Sequence, residues 1–213
     1  IPDSVGFAIE CPAGVILCTG DFKIDYTPLS AGPTDLDTIA EYGRKGVLLL
    51  LSDSTNSERP GFTATEQKVA AGVGNLFRQA DRKRIIIATF ASNIYRIQQI
   101  IDLAVENGRK VAVSGRSMVG NTQMAMDLGY LHAPDGVLID IEEINKYPPD
   151  QVVLITTGSQ GEPLSALSRM ASASHRQVRV GPGDCIIISA NPIPGNEKMV
   201  TKVVNGLLTL GAE

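Results

Sequence analysis

Two aspartates stand where a carboxylate can do chemistry, each directly past an apolar run. Asp21 follows Thr19-Gly20, and Asp53 follows Leu51-Ser52. An acid just past the end of a strand can reach a metal ion or a reacting group, so both residues are candidates for a hydrolytic centre. Alone, either residue could instead form an Asx turn, in which the carboxylate accepts a backbone N–H two residues further on.

The histidines and cysteines do not form a metal-binding pattern. Hydrolytic zinc sites use several histidines, whereas this chain has only His132 and His175, neither with a ligand-type residue at metal spacing. We interpret both as surface residues and expect no self-contained zinc site. The three cysteines, Cys11, Cys18 and Cys185, are odd in number and include no CxxC pair. This pattern argues against a disulfide framework and favours a reducing, cytoplasmic compartment.

Four polar or glycine-rich segments follow predicted strands and lead into predicted helices. They are Thr89–Asn93, Ser114–Ser117, Thr156–Glu162 and Ser189–Pro192. Free N–H groups and the positive end of the helix dipole suit such segments to anionic ligands, above all phosphate. Any one of them is explained as well by helix capping, which uses the same residue types. Four at one edge of a single parallel sheet favour a binding edge.

The charge distribution adds a local basic feature to an acidic chain. The net charge is −4 and the pI is about 5.3, which excludes a globally basic nucleic-acid binder. The stretch from Arg78 to Arg116 nevertheless holds eight basic and three acidic residues, a surplus of +5 (8 − 3). We interpret most of these as solvated helix ends. Arg96 and Arg116 are better candidates for ligand contact, because they lie in or just after strand-end loops. Phe90 could stack on a base or pack against the sheet edge.

The elements that must position these residues are indicated by hydrophobic periodicity. From about residue 64, apolar strands, such as residues 84–88, alternate with helices, such as one from about Pro163 to Ala171. This alternation predicts a mainly parallel sheet with helices on both faces. The first part differs: we expect a hairpin of strands 5–10 and 14–19, a helix over 35–43, and a strand over 46–51 buried on both faces. A capping box at Thr63–Glu66 opens the next helix. We therefore divide the chain into residues 1–64 and 65–213.

Length and composition agree with an ordinary globular chain. With 213 residues, 43% hydrophobic and 20% charged, it is not disordered. It has no apolar run long enough to span a membrane. The sequence begins without Met and ends where the last predicted helix has barely finished, so we expect it to be a piece of a longer polypeptide.

Six ordered segments closely resemble the ribonuclease J family, metallo-β-lactamase enzymes with an inserted β-CASP domain. The segments are Ile1–Ser4, Thr19–Lys23, Ser52–Gly61, Thr89–Asn93, Thr157–Pro163 and Pro192–Glu197. The resemblance implies a partial metallo-β-lactamase core over 1–64 and most of a β-CASP domain over 65–213. It further implies a zinc-dependent ribonuclease acting in RNA maturation and decay, with 5′-to-3′ exonuclease and endonuclease activity. The same resemblance implies two bound zinc ions as cofactor and single-stranded RNA with a 5′-monophosphate end as the preferred substrate. It also implies that the full-length enzyme is a homodimer or tetramer.

Individual roles are carried over by position. Asp21 matches the family aspartate that bridges the two metals, and Asp53 matches the acidic residue of the first β-CASP motif, a catalytic candidate. Phe90, Ala91 and Ser92 match a loop that faces RNA. Together with the strand-end reasoning, this gives the predicted substrate contacts Phe90, Ala91, Ser92, Asn93, Arg116 and Ser159.

The departures from the family pattern bear on activity. The family's metal-binding histidines fall before Ile1 and after Glu213, so Asp21 is the one metal ligand that the matching supplies. We therefore expect this chain to position RNA, to retain no zinc, and to be catalytically inactive by itself. The alternative is a non-catalytic α/β module that binds nucleotides or sugar phosphates at its strand ends.

Overall fold

A computed structural model describes residues 3–29 and 32–213, so the first two residues of the Ile1–Ser4 segment lie outside the described ranges. The chain forms two compact units, the first ending at Gly72 and the second beginning at Val73. This division falls inside the helix α2 (Glu66–Gln79), eight residues after the division predicted at 64. No helix within the described ranges combines the length and apolar composition that a membrane crossing needs.

The first unit contains a three-stranded sheet in the order β1-β2-β3. Strands β1 (Phe7–Cys11) and β2 (Gly14–Cys18) are antiparallel, with Cys11 opposite Gly14 at the turn. The predicted hairpin is therefore confirmed. Strand β3 (Leu49–Leu51) pairs in parallel with β2, and the helix α1 (Leu36–Lys45) lies between them in the sequence.

Strand β3 corrects the expectation of a strand buried on both faces over residues 46–51. It covers only Leu49–Leu51, whose side chains are about half exposed, at 48%, 55% and 50%. Burial of a strand face needs an element packed against it, and helix α1, which lies between β2 and β3 in the sequence, has no buried residue. Within the described residues, buried hydrophobic side chains begin only at Val73.

The bounds of helix α1 are explained by a side-chain cap at its start and a glycine at its end. Helix α1 begins after Asp35, whose carboxylate accepts the Thr38 N–H at 3.0 Å. The helix runs through Gly43, the predicted end, to Gly46, where φ is +97°. Glycine adopts that left-handed conformation without strain, so the helix ends there rather than at Gly43.

The start of α2 differs from the predicted capping box at Thr63–Glu66. The hydroxyl of Thr65 accepts the Lys68 N–H at 3.2 Å, which makes Thr65 the cap. Asp25 also accepts the Glu66 N–H, at 2.7 Å. A distant carboxylate therefore satisfies a donor that the box would have satisfied locally, and residue spacing alone does not reveal it.

The second unit is built on a five-stranded, all-parallel sheet in the order β6-β5-β7-β4-β8. Its strands are β4 (Arg84–Ala88), β5 (Lys110–Ser114), β6 (Leu138–Ile139), β7 (Val152–Thr156) and β8 (Asp184–Ile188). The run of isoleucines in β4 is fully buried, as expected for a central strand. The predicted parallel α/β architecture is confirmed.

Helices cover both faces of this sheet. They are α3 (Ile94–Glu106), α4 (Arg116–Asp127), α5 (Ala166–Ala171) and α6 (Glu197–Thr209), with 3₁₀ turns at Ile141–Lys146 and Pro149–Gln151. Helices α5 and α6 pack on the face that carries Ile86 and Leu154. Helix α5 begins after Ser165, three residues later than the start predicted at Pro163, because the Ser165 hydroxyl accepts the Ser168 N–H.

Candidate nucleic-acid interface

The sheet brings the four predicted loops of the second unit to one edge. Strands β4, β5, β7 and β8 are mutually parallel, so their carboxyl ends lie on the same side. Each predicted loop follows one of these ends. The prediction that the loops share an edge is therefore confirmed, and this edge is the candidate interface.

The loop after β4 is fixed by hydrogen bonds and turns two side chains outwards. The Asn93 side chain accepts the Arg96 N–H at 3.2 Å and so caps α3. Asn121 of α4 donates its side-chain N–H to the Ala91 carbonyl at 3.0 Å. Phe90 is 38% exposed and Ser92 is exposed. The backbone is thus held from two sides, while an aromatic ring and a hydroxyl face solvent.

The loop after β5 presents the start of helix α4. Gly115 has a φ of +105°, and a Cβ there would lie 2.4 Å from the Thr157 hydroxyl, so only glycine fits. As the residue before the helix, Gly115 offers no side-chain cap, and no side chain among the described residues caps the start of α4. Arg116 and Ser117 follow and are exposed. Free helix N–H groups and a guanidinium therefore lie side by side.

The loop after β7 is buried beneath this edge. Ser159, a predicted substrate contact, is only 2% exposed, so its side chain lies behind the surface. The neighbouring Gln160 was not singled out from the sequence. Its side chain donates to the Asn191 carbonyl at 3.0 Å and accepts the Ile193 N–H at 2.7 Å. Gln160 thus fixes the loop after β8, a role that a lone glutamine in the sequence does not signal.

The two arginine candidates separate in the structure. Arg96 is 4% exposed and donates to the Ser189 hydroxyl, which joins the start of α3 to the end of β8. Arg116 stays at the surface. Of the two, Arg116 is therefore placed to touch a ligand, while Arg96 holds two loops together.

Most of the predicted basic surplus lies away from this edge. Strands β4 and β5 begin at Arg84 and Lys110, so the basic residues around those positions belong to the opposite, amino-terminal edge. Arg84 binds Asp184 through two contacts of 2.7 and 2.8 Å. Arg109 donates to the carbonyls of Ala80 and Lys83 at 2.8 and 2.7 Å, and burial lowers its pKa. The interpretation of most of this surplus as solvated helix ends does not extend to Arg84 and Arg109, because both serve the fold.

The two histidines also differ from one another. His132 is exposed, in agreement with the prediction of a surface residue. His175 is 7% exposed, so the same prediction is wrong there. Its ring binds Ser114 at the end of β5, with 3.1 Å between Nε2 and Oγ. Nothing in the local sequence Ser174-His175-Arg176 signals this contact, because its partner lies 61 positions away.

In the first unit, parallel pairing of β2 and β3 brings Asp21 and Asp53 to the rim of one open depression. The Asp53 N–H donates to the Thr19 hydroxyl at 3.1 Å, which joins the two strand ends. The Asp53 carboxylate accepts the hydroxyl and N–H of Thr55 at 2.7 and 3.0 Å, and these bonds, the hydroxyl first, lower its pKa. The Asx-turn alternative therefore holds for Asp53, and both Asp21 and Asp53 are exposed.

These residues alone do not fit a complete zinc site. Zinc takes three or four protein ligands, largely histidine and cysteine. Within residues 3–29 and 32–213, no three His, Cys, Asp or Glu side chains form a metal-holding group. The depression offers Asp21 and one oxygen of Asp53 that Thr55 leaves available. We derive no reaction step through a metal from this donor set.

Comparison with known proteins relates both units to one group of nucleases. The family model described as "Ribonuclease J, beta-CASP domain" matches residues 82–207. The chain is 49% identical over 212 residues to Ribonuclease J of Corynebacterium glutamicum, covering 100% of this chain and 29% of that protein. It is 50% identical over 208 residues to Ribonuclease J of Helicobacter pylori, covering 98% and 30%. It is 47% identical over 213 residues to Ribonuclease J2 of Bacillus subtilis, covering 100% and 38%. The chain thus spans roughly a third of the length of these curated relatives.

Proposed function

The chain belongs to the Ribonuclease J β-CASP family, and from that premise we propose that it is the RNA-positioning segment of a larger ribonuclease. The observation that carries this proposal is the edge of the parallel sheet at the ends of β4 and β5. Phe90, Ser92 and Arg116 are exposed there, on loops whose backbones are fixed from behind.

The chemistry of this edge suits single-stranded RNA. An exposed aromatic ring such as Phe90 stacks on a base of any sequence. Arg116 and the free N–H groups at the start of α4 suit phosphate oxygens. Ala91 and Asn93 contribute through the backbone, because the Asn93 side chain already caps α3. We assign Ser159 to support of the edge rather than to direct contact, because it is buried.

We propose further that the whole protein is a metal-dependent ribonuclease with two zinc ions, for which Asp21 supplies one ligand and Asp53 shapes the neighbouring turn. Residues 1–64 would then be part of a metallo-β-lactamase core, which the half-exposed apolar strand β3 supports. The protein would act as a 5′-to-3′ exonuclease and an endonuclease on RNA with 5′-monophosphate ends, as a homodimer or tetramer. The three free cysteines support a reducing cytoplasm.

The test is a titration of the purified 213-residue chain with three fluorescent ligands. These are a single-stranded RNA oligomer with a 5′-monophosphate, the same oligomer with a 5′-hydroxyl, and a mononucleotide. We expect the phosphorylated oligomer to bind at least about tenfold more tightly than either other ligand, which corresponds to about 1.4 kcal/mol. We also expect no cleavage of the oligomer with zinc or manganese present. Cleavage by this chain would contradict the assignment of a purely positioning role.

A second candidate function is a non-catalytic module that binds nucleotides or sugar phosphates. The observation in its favour is the start of α4, where uncapped N–H groups lie next to Arg116. A mononucleotide can satisfy such a phosphate site by itself. Equal affinity for the mononucleotide and the phosphorylated oligomer would therefore favour this second function over RNA positioning.

A further inference from the structure

The imidazole of His175 is buried between the end of β5 and its own loop, and its hydrogen bonds define its protonation. Nδ1 accepts the N–H groups of Gln177 and Val178, at 3.3 and 3.2 Å. An acceptor nitrogen carries no proton, so in the neutral ring the proton is on Nε2. Nε2 then donates to the Ser114 hydroxyl, 3.1 Å away.

This environment does not accommodate a second proton. The added proton would sit on Nδ1. There it would face the two backbone N–H groups that now donate to the lone pair of this nitrogen. Arg169 of α5 is also close, since its carbonyl accepts the His175 N–H at 3.1 Å. Within the described part of the chain, the Arg169 Nε is buried without a hydrogen-bond partner. Burial first, and the Arg169 charge second, lower the pKa of His175.

Ser114 connects this buried ring to the candidate interface through close backbone contacts. Its carbonyl accepts the Thr157 N–H at 3.3 Å. The next residue, Gly115, packs against Thr157 so closely that a Cβ would overlap the hydroxyl. The residue after that is Arg116, which is exposed at the start of α4. Only two peptide units thus separate Ser114 from Arg116.

We propose that His175 is a positioning residue for the RNA-binding edge, in which the neutral ring, held by the Gln177 and Val178 N–H groups, fixes Ser114 and thereby Arg116. A proton on Nδ1 opposes those two N–H groups and shifts the ring, so that Ser114, to which Nε2 still donates, moves with it and Arg116 is displaced. This inference rests on the proposed function of that edge. The direction in which RNA affinity changes with pH distinguishes a positioning role from a simple charge effect. A histidine that merely adds positive charge near RNA strengthens binding as the pH falls, because it neutralises phosphate. A positioning histidine weakens binding as it becomes protonated.

The test measures affinity for the 5′-phosphorylated RNA oligomer between pH 8 and pH 5.5 in four proteins. They are the wild-type chain and the variants His175→Asn, Ser114→Ala and His132→Gln. Asparagine keeps an acceptor for the Gln177 and Val178 N–H groups but does not titrate. Ser114→Ala keeps the titrating ring and removes its link to β5. His132→Gln removes an exposed imidazole and is the matched control.

Between pH 8 and pH 5.5, we expect wild type and His132→Gln to lose RNA affinity. The factor of this loss should be about three times the factor found for His175→Asn and Ser114→Ala. The terminal phosphate also titrates near pH 6, but it does so equally in all four titrations. Circular dichroism at each pH confirms that each protein is folded. A His175→Asn profile that parallels wild type, or wild-type binding that tightens on acidification relative to His175→Asn, would overturn the inference.

A second measurement does not depend on RNA. In the free chain, the amide resonances of Gly115 and Arg116 should follow the titration of the His175 ring in wild type and not in Ser114→Ala. Gly115 and Arg116 amide resonances that do not change as the His175 ring titrates would overturn the inference. Amides that follow the titration in a chain that binds no RNA at pH 8 would support the coupling and contradict the proposed function instead.

Discussion

Arg96 and Arg116 occupy similar places in the sequence and opposite places in the structure. Arg96 falls on the buried stripe of α3, next to Ile97, and its guanidinium joins two loops. Arg116 is the first residue of α4 and remains exposed. A strand-end position was predictable for both from apolar runs, but side-chain direction depends on how each helix packs. For that reason one functional candidate became a structural residue.

We predict that Arg116→Ala weakens binding of the phosphorylated RNA oligomer by up to about tenfold and lowers the salt dependence of binding by about one phosphate contact. The reason is loss of the exposed cation at the candidate interface. Arg82→Ala is the matched control, because Arg82 is also exposed but precedes β4 at the opposite edge of the sheet. Fluorescence anisotropy at several salt concentrations measures both effects. Equal losses in the two variants would show that charge alone, and not this edge, determines affinity.

The burial of His175 also predicts how stability depends on pH. Its pKa is lowered in the folded chain from the ordinary value of 6.5. Below pH 6.5 the unfolded chain binds a proton that the folded chain does not. The free energy of unfolding therefore decreases as the pH is lowered, until the pH reaches the pKa of His175 in the folded chain. Urea denaturation at pH 7.5 and 5.5 should show a smaller loss in His175→Asn than in wild type. A wild-type loss retained in His175→Asn and reduced in His132→Gln would contradict the assignment.

At the level of secondary-structure elements, the loops at the sheet edge depend on glycines that no other residue can replace. Gly115→Ala combines a φ of +105° with overlap on Thr157, and we expect it to cost about 1–3 kcal/mol of stability. Gly120→Ala lies in the same helix with no atom within 4 Å of a new Cβ, and we expect it to be neutral or to stabilise by up to about 1 kcal/mol. Thermal denaturation compares the two. A Gly115→Ala variant as stable as wild type would show that the loop packing is looser than described.

The amino-terminal edge of the sheet is joined by the Arg84–Asp184 pair, which links neighbouring strands β4 and β8. Removing the carboxylate leaves a largely buried guanidinium without its counter-charge, with the Arg179 carbonyl as its remaining acceptor. Asp184→Ala should therefore cost about 3 kcal/mol of unfolding free energy. Glu143→Ala breaks the more exposed Lys146–Glu143 pair and should change stability by less than about 0.5 kcal/mol. Urea denaturation of both variants decides this, and similar losses would contradict a structural role for the pair.

The elements themselves were predictable to different degrees. Strand β4 was predicted at its observed bounds, because three successive β-branched isoleucines after a basic segment and before the polar loop at Thr89 favour a short strand. Helix α5 was predicted to begin at Pro163 but begins after Ser165, whose hydroxyl caps it. The start of α2 depends on Asp25, more than forty positions away in the sequence. Element boundaries were thus wrong where a cap or a distant side chain, rather than hydrophobic periodicity, determines them.

At the scale of the whole molecule, six ordered segments identified the family, and the family comparison confirms it. The burial of the apolar residues in the first unit was not predictable in the same way. Hydrophobicity at Leu49–Leu51 indicates a surface that needs cover, but it does not say what supplies the cover. The net charge of −4 was similarly uninformative about the interface, because it averages over all faces of the molecule.

The central claim is that RNA binds at the edge formed by the ends of β4 and β5. The most direct measurement is the change in backbone amide resonances of the isotope-labelled chain on addition of a 5′-phosphorylated single-stranded RNA oligomer. The account predicts saturable changes concentrated in the Thr89–Asn93 loop and at Gly115–Ser117, with little change around Arg82–Arg84. Changes confined to the Arg82–Arg84 edge, or none at saturating RNA, would contradict it.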